Sequence, residues 1–189
     1  MIAPEQVVAI LLAGGLSGRF GPADKLAEPL YGLPLGLHAA RTLATLPFAA
    51  MIAVTRSGGP DFGACGFTSV RNGHPASGQS GSIRLGLASA LVAAPRAVLI
   101  MLADMPFVTR THIEALLARF DDEHRIVASA GGERPGPPAL FGASHFEALA
   151  ALSGDAGARS MLNDALLVEA PADELVDIDT PDDLIRTGR

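Results

Sequence analysis

The sequence predicts an α/β protein in which helices cover both faces of a central sheet. Two short, continuous apolar runs, residues 6–13 and 97–103, have the length and composition of strands that are buried on both sides. Strand-like and helix-like segments alternate along the rest of the chain. With 49% hydrophobic and 18% charged residues, the chain also has the apolar side chains that a sizeable core requires.

The first half of the chain supplies further elements after the strand at 6–13. Residues 34–46 begin with proline and place leucines at helix-like spacing, which predicts a helix. Residues 49–55 form a second apolar strand, and the Gly, Pro and Asp content of residues 58–66 predicts a loop. Residues 80–94 place isoleucine and leucine one turn apart on one face, which predicts a second helix.

The second half of the chain begins with the strand at 97–103. A helix at 109–120 and a strand at 125–130 follow it. Residues 131–138 are so rich in Gly and Pro that they predict an irregular connection. The remaining predicted elements are strands at 139–141 and 175–178, helices at 143–152 and 157–163, and a terminal helix that begins at Pro181.

Length and composition limit the kind of protein. A chain of 189 residues suits one domain, so we expect residues 1–189 to form a single unit. The formal net charge of −6 argues against nucleic acid as a partner, although a few cations in one cleft can still bind a polyphosphate. Cys65 stands alone, which excludes a disulfide framework. No apolar run reaches the roughly 18 to 20 residues of a membrane span and no signal pattern is visible, so we expect a cytoplasmic protein with no membrane partner.

The strongest local motif is a glycine-rich loop directly after the first strand, residues 12–25 with the sequence LAGGLSGRFGPADK. Glycines let backbone N–H groups approach an anion closely and surround it. Arg19 offers a planar fork for two phosphate oxygens, and Lys25 offers a mobile point charge. The loop therefore predicts a phosphate site, with a plain strand-to-helix turn that carries incidental cations as the alternative.

Two better-known glycine motifs do not fit this loop. It lacks the Gly-Lys-Ser/Thr sequence of a P-loop. Its glycine spacing differs from G-x-G-x-x-G, and the strand at 49–55 is followed by Arg56 rather than by an acidic residue that could bind a ribose. A dinucleotide-dependent oxidoreductase is therefore disfavoured.

Acidic side chains at two positions suit a magnesium ion, which takes one or two carboxylates and completes its octahedron with phosphate oxygens and water. Asp104 emerges from the buried strand at 97–103; a cap on the next turn is its alternative role. Asp177 and Asp179 share one face of an extended strand, where their like charges repel unless a cation lies nearby. The acids at 182–183 suit the first turn of the terminal helix instead.

The segment GQSGSIRLG at 78–86 places small polar groups at the start of a helix. Gly78, Ser80 and Ser82 are candidates to contact the base or the ribose of a nucleotide there. Simple capping of the helix by one of the two serines is the alternative.

Together these motifs resemble the molybdenum cofactor nucleotidyltransferases, which are similar to the larger sugar-phosphate nucleotidyltransferase group. The loop at 12–25, the LADMP segment at 102–106, the GDAGAR block at 154–159 and the DIDTPDDL segment at 177–184 carry the resemblance along nearly the whole chain. It implies a three-layer, Rossmann-like, mostly parallel sheet of the GT-A nucleotidyltransferase type, with one reversed strand. The nucleotide-binding residues that it implies are Leu12, Ala13, Gly14, Gly15, Ser17, Gly18, Arg19, Lys25, Gly78, Ser80 and Ser82.

Within this family, the segments GQSGSIRLGL at 78–87 and PALF at 138–141 and the GDAGAR block are more similar to the cytidylyltransferases. That branch transfers CMP from CTP to molybdopterin for xanthine dehydrogenase-type enzymes. One feature departs from it: cytidylyltransferases usually have Ala in place of Gly14, whereas the LAGG of this chain matches the guanylyltransferases. The resemblance favours CTP over GTP. A GTP-using guanylyltransferase, a methylerythritol phosphate cytidylyltransferase and a sugar-phosphate uridylyltransferase remain alternatives.

The resemblance also implies a mechanism, in which a phosphate oxygen of the acceptor attacks the α-phosphorus of the NTP in line and pyrophosphate leaves. Arg19, Lys25 and Asp104 are the implied catalytic residues. Asp104 and Asp177, with Asp179 as the alternative to Asp177, would hold Mg²⁺ at the α-phosphate. The implied partners are the NTP, a molybdopterin-type phosphorylated acceptor whose pocket includes segments such as 131–138, and a molybdoenzyme or its chaperone.

Overall fold

The computed structural model describes residues 1–15, 20, 24–74, 78–132, 134–154 and 157–187. A sheet built from short strands forms the centre of the molecule. In chain order the strands are β1 (Val7–Ala13), β2 (Pro29–Leu30), β3 (Leu33–Pro34), β4 (Ala50–Thr55), β5 (Thr68–Arg71), β6 (Ala97–Leu102), β7 (Ile126–Ala130), β8 (Pro135–Gly142) and β9 (Leu166–Glu169). β2 and β3 form a small hairpin, and the other strands form one seven-stranded sheet in the order β5-β4-β1-β6-β8-β7-β9.

Helices cover both faces of this sheet. They are α1 (Leu35–Leu43), α2 (Gly78–Ala90), α3 (Arg110–Arg119), α4 (Phe146–Ala150) and α5 (Pro181–Thr187). α1 and α3 pack on one face, where Leu43 and Leu116 join the buried cluster that contains Leu11. α2 and α4 pack on the other, where Leu87 and Leu149 join the cluster of Ile10. The predicted α/β sheet with helices on both faces is therefore confirmed.

β1 lies near the middle of the sheet, and all of its residues are buried. It pairs in parallel with β4 on one side and with β6 on the other. Its successive side chains point to opposite faces, so a continuous apolar run fills both layers of the core. α2 approaches β1 so closely at Gly86 that a Cβ atom there would lie 2.6 Å from Ile10 Cγ2. Glycine at this position lets α2 lie against the sheet.

The sheet is mostly parallel with one reversed strand, as the resemblance implies. β8 is antiparallel to both of its neighbours, β6 and β7. All other neighbouring strands in this sheet are parallel to each other. Because β8 runs backwards, its first residues lie at the edge where β1 and β6 end.

The prediction of an irregular connection at 131–138 is wrong for its second half, because β8 begins at Pro135. The pairing of β7 with β8 shifts register between Ala128 and Ser129. An irregularity of this kind interrupts the hydrogen bonds between the two strands locally. Prolines, which have no backbone N–H group to donate, can therefore belong to β8.

The predicted strand at 175–178 is also wrong, since these residues are irregular, and the last strand of the sheet is β9. The apolar Ile178 is nevertheless fully buried, against Leu30 and Leu35 in a small separate cluster. Its N–H donates to Asp104 O at 3.0 Å, which joins this segment to the end of β6 without strand pairing.

Several other elements differ in length or were not expected. β5 and β9 have four residues each and lie at the two edges of the sheet, and neither is predicted from the sequence. The predicted helix at 157–163 is a 3₁₀ turn over Arg159–Leu162, and the helix at 143–152 shortens to α4 after a 3₁₀ turn. None of the helices in the described ranges has the length and apolar character needed to cross a membrane.

Candidate active site

The carboxyl ends of β1 and β6 meet at one edge of the sheet. The N–H of Ala103 donates to Leu12 O at 3.1 Å, so the backbone segments that follow β1 and β6 stay paired at the ends of these strands. Gly14 and Asp104 therefore lie at the same edge, where ligands of open α/β sheets bind.

Lys25 reaches this edge from the first residue of a short 3₁₀ turn. Asp24 caps the turn, since its Oδ1 accepts a hydrogen bond from Leu26 N at 3.1 Å. The same oxygen lies 2.9 Å from Arg56 Nη2, just beyond the end of β4. These two contacts fix the backbone from which the Lys25 side chain extends.

The ammonium of Lys25 is bound by acceptors from two parts of the chain. Its Nζ atom lies 2.6 Å from Asp104 Oδ2, 3.0 Å from Asp179 Oδ1 and 3.1 Å from Ile178 O. An ammonium carries three N–H donors, and here each has an acceptor. Lys25, Asp104 and Asp179 form what we call the cation cluster.

The cation cluster is only partly open to solvent, and this changes its proton affinities. Burial alone would lower the pKa of Lys25, but attraction to Asp104 and hydrogen bonds to Asp104 and Asp179 outweigh it and raise the pKa. Burial raises the pKa of Asp104; the charge of Lys25 opposes this rise, and the negative charge of Asp177 adds to it. Lys25 is therefore a permanent cation near neutral pH.

The carboxylates of the cation cluster fit a divalent metal that is shared with a substrate. Asp104 Oδ1 is buried and has no hydrogen-bond partner among the described residues, so one strong oxygen ligand is open. Across the described ranges, no three His, Cys, Asp or Glu side chains are grouped closely enough to hold a metal. Mg²⁺ does not need such a cage, since phosphate oxygens and water complete its shell.

Asp179 is positioned by the start of α5. Asp183 Oδ2 accepts hydrogen bonds from Thr180 N and Thr180 Oγ1, at 2.8 and 2.7 Å, and a longer one from Asp179 N at 3.3 Å. The Thr180 hydrogen bonds are the main cause that lowers the pKa of Asp183 to about 2. Asp183 thus serves the helix, which leaves Asp179 to contact Lys25.

The structure brings some of the predicted site residues together and leaves others apart. Lys25 and Asp104 are in direct contact, whereas Asp177 is exposed and lines a neighbouring cavity. Asp179, the alternative to Asp177, is the carboxylate that contacts Lys25. The assignment of Asp177 as a metal ligand stays a prediction. Ser17, Gly18 and Arg19 lie outside the described residues.

A second group of polar residues lies beside the end of β1. Asn72 is buried just after β5, and its Nδ2 donates to Ser82 Oγ of α2 at 3.1 Å. Gly14 faces this pair: a Cβ atom there would lie 3.4 Å from Ser82 Oγ. Ser80 is fully buried, and its Oγ has no partner among the described residues. We call Gly14, Asn72, Ser80 and Ser82 the serine pocket.

Gly78, Leu12, Ala13 and Gly15 border the same region. Gly78 begins α2 with φ +69°, a conformation that favours glycine. Leu12 and Ala13 are the buried last residues of β1, and nothing described would contact a Cβ atom at Gly15. Asn72 was missed by sequence reasoning because β5 is too short to reveal a strand that ends beside the glycine-rich loop.

The mostly parallel sheet and the cation cluster at its carboxyl edge are the features of an α/β nucleotide-using transferase. Residues 9–170 match the MobA-like NTP transferase domain, so the chain belongs to this family and is a nucleotidyltransferase.

Individual relatives agree with this family. The chain is 29% identical to the purine catabolism protein PucB of Bacillus subtilis over 199 residues, 95% of this chain and 96% of PucB. It is 45% identical to a molybdenum cofactor guanylyltransferase of Cupriavidus taiwanensis over 38 residues, 20% of this chain and 19% of that protein. The structure of Rv0371C of Mycobacterium tuberculosis H37Rv in complex with manganese has the same fold, with a TM-score of 0.74 and 21% identity over 97% of this chain and 98% of that one.

Proposed function

We propose that this nucleotidyltransferase moves CMP from CTP to the terminal phosphate of molybdopterin and releases pyrophosphate. The observation that carries the proposal is the ammonium of Lys25, the last residue of the glycine-rich loop, held between the carboxylates of Asp104 and Asp179. A mobile cation and two carboxylates suit the two charged partners of nucleotidyl transfer, a triphosphate and its divalent metal.

In this reaction an oxygen of the acceptor phosphate forms a bond to the α-phosphorus of CTP. The bond from that phosphorus to the bridging oxygen breaks, and pyrophosphate leaves with the electron pair. A phosphate monoester is already an anion near neutral pH, so no residue has to remove a proton. Positioning and charge neutralisation therefore supply most of the acceleration.

The residues of the cation cluster would exchange partners when CTP binds. Lys25 would turn from Asp104 and Asp179 to the phosphates, and with Arg19 it would neutralise the departing pyrophosphate. Asp104 and Asp177 would then hold Mg²⁺, which supplies positive charge at the α-phosphate when it is bound. The open Oδ1 of Asp104 supports this role, since it is a buried carboxylate oxygen without a hydrogen-bond partner among the described residues.

Resemblance and relatives support the choice of substrates. The segment at 78–87, whose Ser80 and Ser82 belong to the serine pocket, is most similar to the cytidylyltransferase branch. Xanthine is a purine, so the name of PucB, a purine catabolism protein, agrees with an acceptor destined for a xanthine dehydrogenase-type enzyme. That molybdoenzyme, or its chaperone, would receive the product.

The experiment that tests this proposal measures pyrophosphate release with molybdopterin, Mg²⁺ and each of the four NTPs in turn. We expect release with CTP, and at least about a hundredfold less with Asp104→Asn, because such sites lose about that factor when one electrostatic contact is removed. Arg41→Gln is the matched control, since Arg41 is exposed on α1 and belongs neither to the cation cluster nor to the serine pocket. Absence of release with every NTP would overturn the choice of acceptor.

A GTP-using guanylyltransferase is the second candidate, and Gly14 is the observation that favours it. The missing Cβ atom leaves space in front of Ser82 Oγ and of Asn72, where a larger base has more room. The short segment shared with a guanylyltransferase points the same way. Release with GTP alone would establish this candidate in place of the first.

A further inference from the structure

A small hairpin lies against the C-terminal segment that carries Asp179. Its strands β2 and β3 are antiparallel, and Tyr31 and Gly32 form the turn between them. Both turn residues have positive φ, +49° at Tyr31 and +76° at Gly32. Two consecutive positive φ values are typical of the type I′ turn, in which Asn, Asp and Gly are preferred. Tyrosine is therefore an unusual residue at this position.

Tyr31 contacts the far end of α5. It is 66% exposed, so burial does not account for an aromatic residue in this turn. Its hydroxyl donates to the backbone oxygen of Thr187, the last residue of α5. Its ring also meets the ring of His38 edge to face, with the two centroids 6.5 Å apart. The turn thus presents an aromatic side chain that binds the end of the helix.

The hairpin contacts the same segment a second time, through Leu30. Leu30, Leu35 and Ile178 are buried together in a cluster that is separate from the two larger core clusters. His38 Nε2 donates to Leu30 O at 2.9 Å, which joins the hairpin to α1. The C-terminal segment is therefore held at two places, at Ile178 before α5 and at Thr187 in its last turn.

This segment supplies two of the three acceptors that bind the ammonium of Lys25. They are Ile178 O at 3.1 Å and Asp179 Oδ1 at 3.0 Å. The N–H of Ile178 also donates to the backbone oxygen of Asp104, whose side chain is the third acceptor. A shift of the segment would therefore change the surroundings of the ammonium directly.

α5 cannot hold this segment by its own stability. It has seven residues, and none of them is fully buried. Isolated helices of this length are marginal in water, so contacts outside the helix must stabilise it. Its first turn contains Asp183, whose Oδ2 accepts hydrogen bonds from Thr180 N and Asp179 N. Because so short a helix forms as a unit, loss of the contact at Thr187 would also loosen the backbone of Asp179.

We propose that the β2–β3 hairpin positions the cation cluster, because Tyr31 and Leu30 hold the C-terminal segment that binds the ammonium of Lys25. Both are positioning residues, which act on Lys25 through Ile178 and Asp179. The transfer of the ammonium from this segment to a triphosphate rests on the proposed function, whereas its placement in the free protein does not.

The composition of the chain makes this placement measurable, since Lys25 is the only lysine. Its ammonium gives the single lysine side-chain signal in ¹⁵N-resolved NMR, and the rate at which its protons exchange with water reports how well the three acceptors hold it. We expect Tyr31→Phe to raise this exchange rate about fivefold, the factor that one hydrogen bond of typical strength contributes. Asp179→Asn should raise it at least as much, because it removes the charge of a direct acceptor.

A double variant distinguishes positioning from a general loss of stability. In the Asp179→Asn background, Tyr31→Phe should raise the exchange rate by a smaller factor, because the carboxylate through which Tyr31 acts is already gone. Equal factors in the two backgrounds would contradict this path. Arg125→Gln is the matched control: it breaks an exposed ion pair with Asp121 at the start of β7 and should leave the rate unchanged.

Leu30→Val tests the second contact of the hairpin, since it shortens the side chain that packs against Ile178. It should also raise the exchange rate of the Lys25 ammonium. Circular dichroism would establish that each variant is folded. Equal exchange rates in the folded wild-type protein, Tyr31→Phe and Leu30→Val would overturn the proposal.

Binding of inorganic tripolyphosphate with Mg²⁺ separates this inference from the proposed function, since this probe has no base and needs no acceptor. If the ammonium passes from the segment to the triphosphate, Tyr31→Phe should lower the Kd of tripolyphosphate by up to about fivefold, because Lys25 gives up less when it leaves. If Tyr31→Phe raises the exchange rate and leaves this Kd unchanged, the hairpin positions Lys25 and the proposed exchange of partners fails.

Discussion

The Nζ atom of Lys25 lies 2.6 Å from Asp104 Oδ2, and the ammonium also contacts Asp179. It neutralises the carboxylate of Asp104, whose other oxygen, Oδ1, is the proposed ligand of a divalent cation. In the proposed site Lys25 and the metal would therefore compete for the negative charge of Asp104, and a bound triphosphate would draw Lys25 away.

Lys25→Met is expected to strengthen Mn²⁺ binding in the absence of nucleotide. Removing a unit charge within 3 Å of the ligand oxygens relieves a repulsion that we expect to change Kd by about tenfold or more. Mn²⁺ electron paramagnetic resonance measures free metal directly and needs no turnover. Lys25→Arg, which keeps the charge, is the control and should leave Kd near its wild-type value. Equal Kd values for all three proteins would contradict the competition.

Asp177→Asn and Asp179→Asn are expected to affect metal binding differently. With a non-hydrolysable CTP analogue bound, Asp177→Asn should weaken Mn²⁺ binding about tenfold, because it removes a charged ligand. Asp179→Asn should have a smaller effect, because Asp179 Oδ1 already contacts the ammonium of Lys25. Calorimetric titration of Mn²⁺ into the analogue complex distinguishes the two. The reverse order would make Asp179 the second ligand.

Gly14→Ala is expected to raise the preference for CTP over GTP. The added methyl group would meet Ser82 Oγ at 3.4 Å and Val54 O at 3.5 Å, which is ordinary van der Waals contact. Folding stability should therefore change by less than about 0.5 kcal/mol, as for most substitutions without a steric conflict. The ratio of kcat/KM for the two nucleotides is the measurement. An unchanged ratio in a stable variant would remove Gly14 from the choice of base.

The environment of His112 predicts that the free energy of unfolding decreases in mild acid. Its Nε2 lies 2.7 Å from Ser129 Oγ, which itself donates to Pro138 O at 2.7 Å, so the imidazole must donate to Ser129. Burial lowers the pKa of His112, and the nearby charge of Glu174 only partly opposes this. The unfolded chain, with a histidine pKa of about 6.5, then binds more protons, so stability is lost as pH falls below that value.

Urea unfolding at pH 7.5 and pH 5.5 measures this effect. The decrease in the free energy of unfolding should be smaller for His112→Gln, which keeps an N–H donor but does not titrate in this range. His124→Gln, at an exposed histidine, is the control and should lose stability as the wild-type protein does. An equal decrease in all three proteins would show that another group is responsible.

The elements that the sequence predicts correctly are those whose structure is visible in the composition of their own segment. β1 and β6 are continuous apolar runs because both of their faces are buried, and that burial is visible in the composition of the run itself. Asp104 could be predicted in the same way, since it lies two residues after the end of β6, at the edge of the sheet where ligands bind. The mostly parallel order with one reversed strand came from the resemblance and not from any local pattern.

The missed features depend on distant partners. β5 and β9 are four residues long and lie at the edges of the sheet. Neither is long enough or buried enough to show the apolar run by which a strand is recognised in the sequence. Ile178 has the alternating neighbours of a strand residue, but it is buried by Leu30 and Leu35, which lie far away in the sequence. The contact of Asp179 with Lys25 spans 154 positions and is set by the start of α5, which no spacing rule describes.

The reversed direction of β8 has a consequence for how this scaffold could diversify. The serine pocket is built from β1, the end of β5 and α2, whereas Gly136 and Pro137 at the start of β8 line two cavities at the same edge of the sheet. Insertions or exchanges before Pro135 would therefore change these cavities without altering any residue of the serine pocket. Grafting that single connection between homologues is a route by which a nucleotidyltransferase could change one part of its ligand edge at a time.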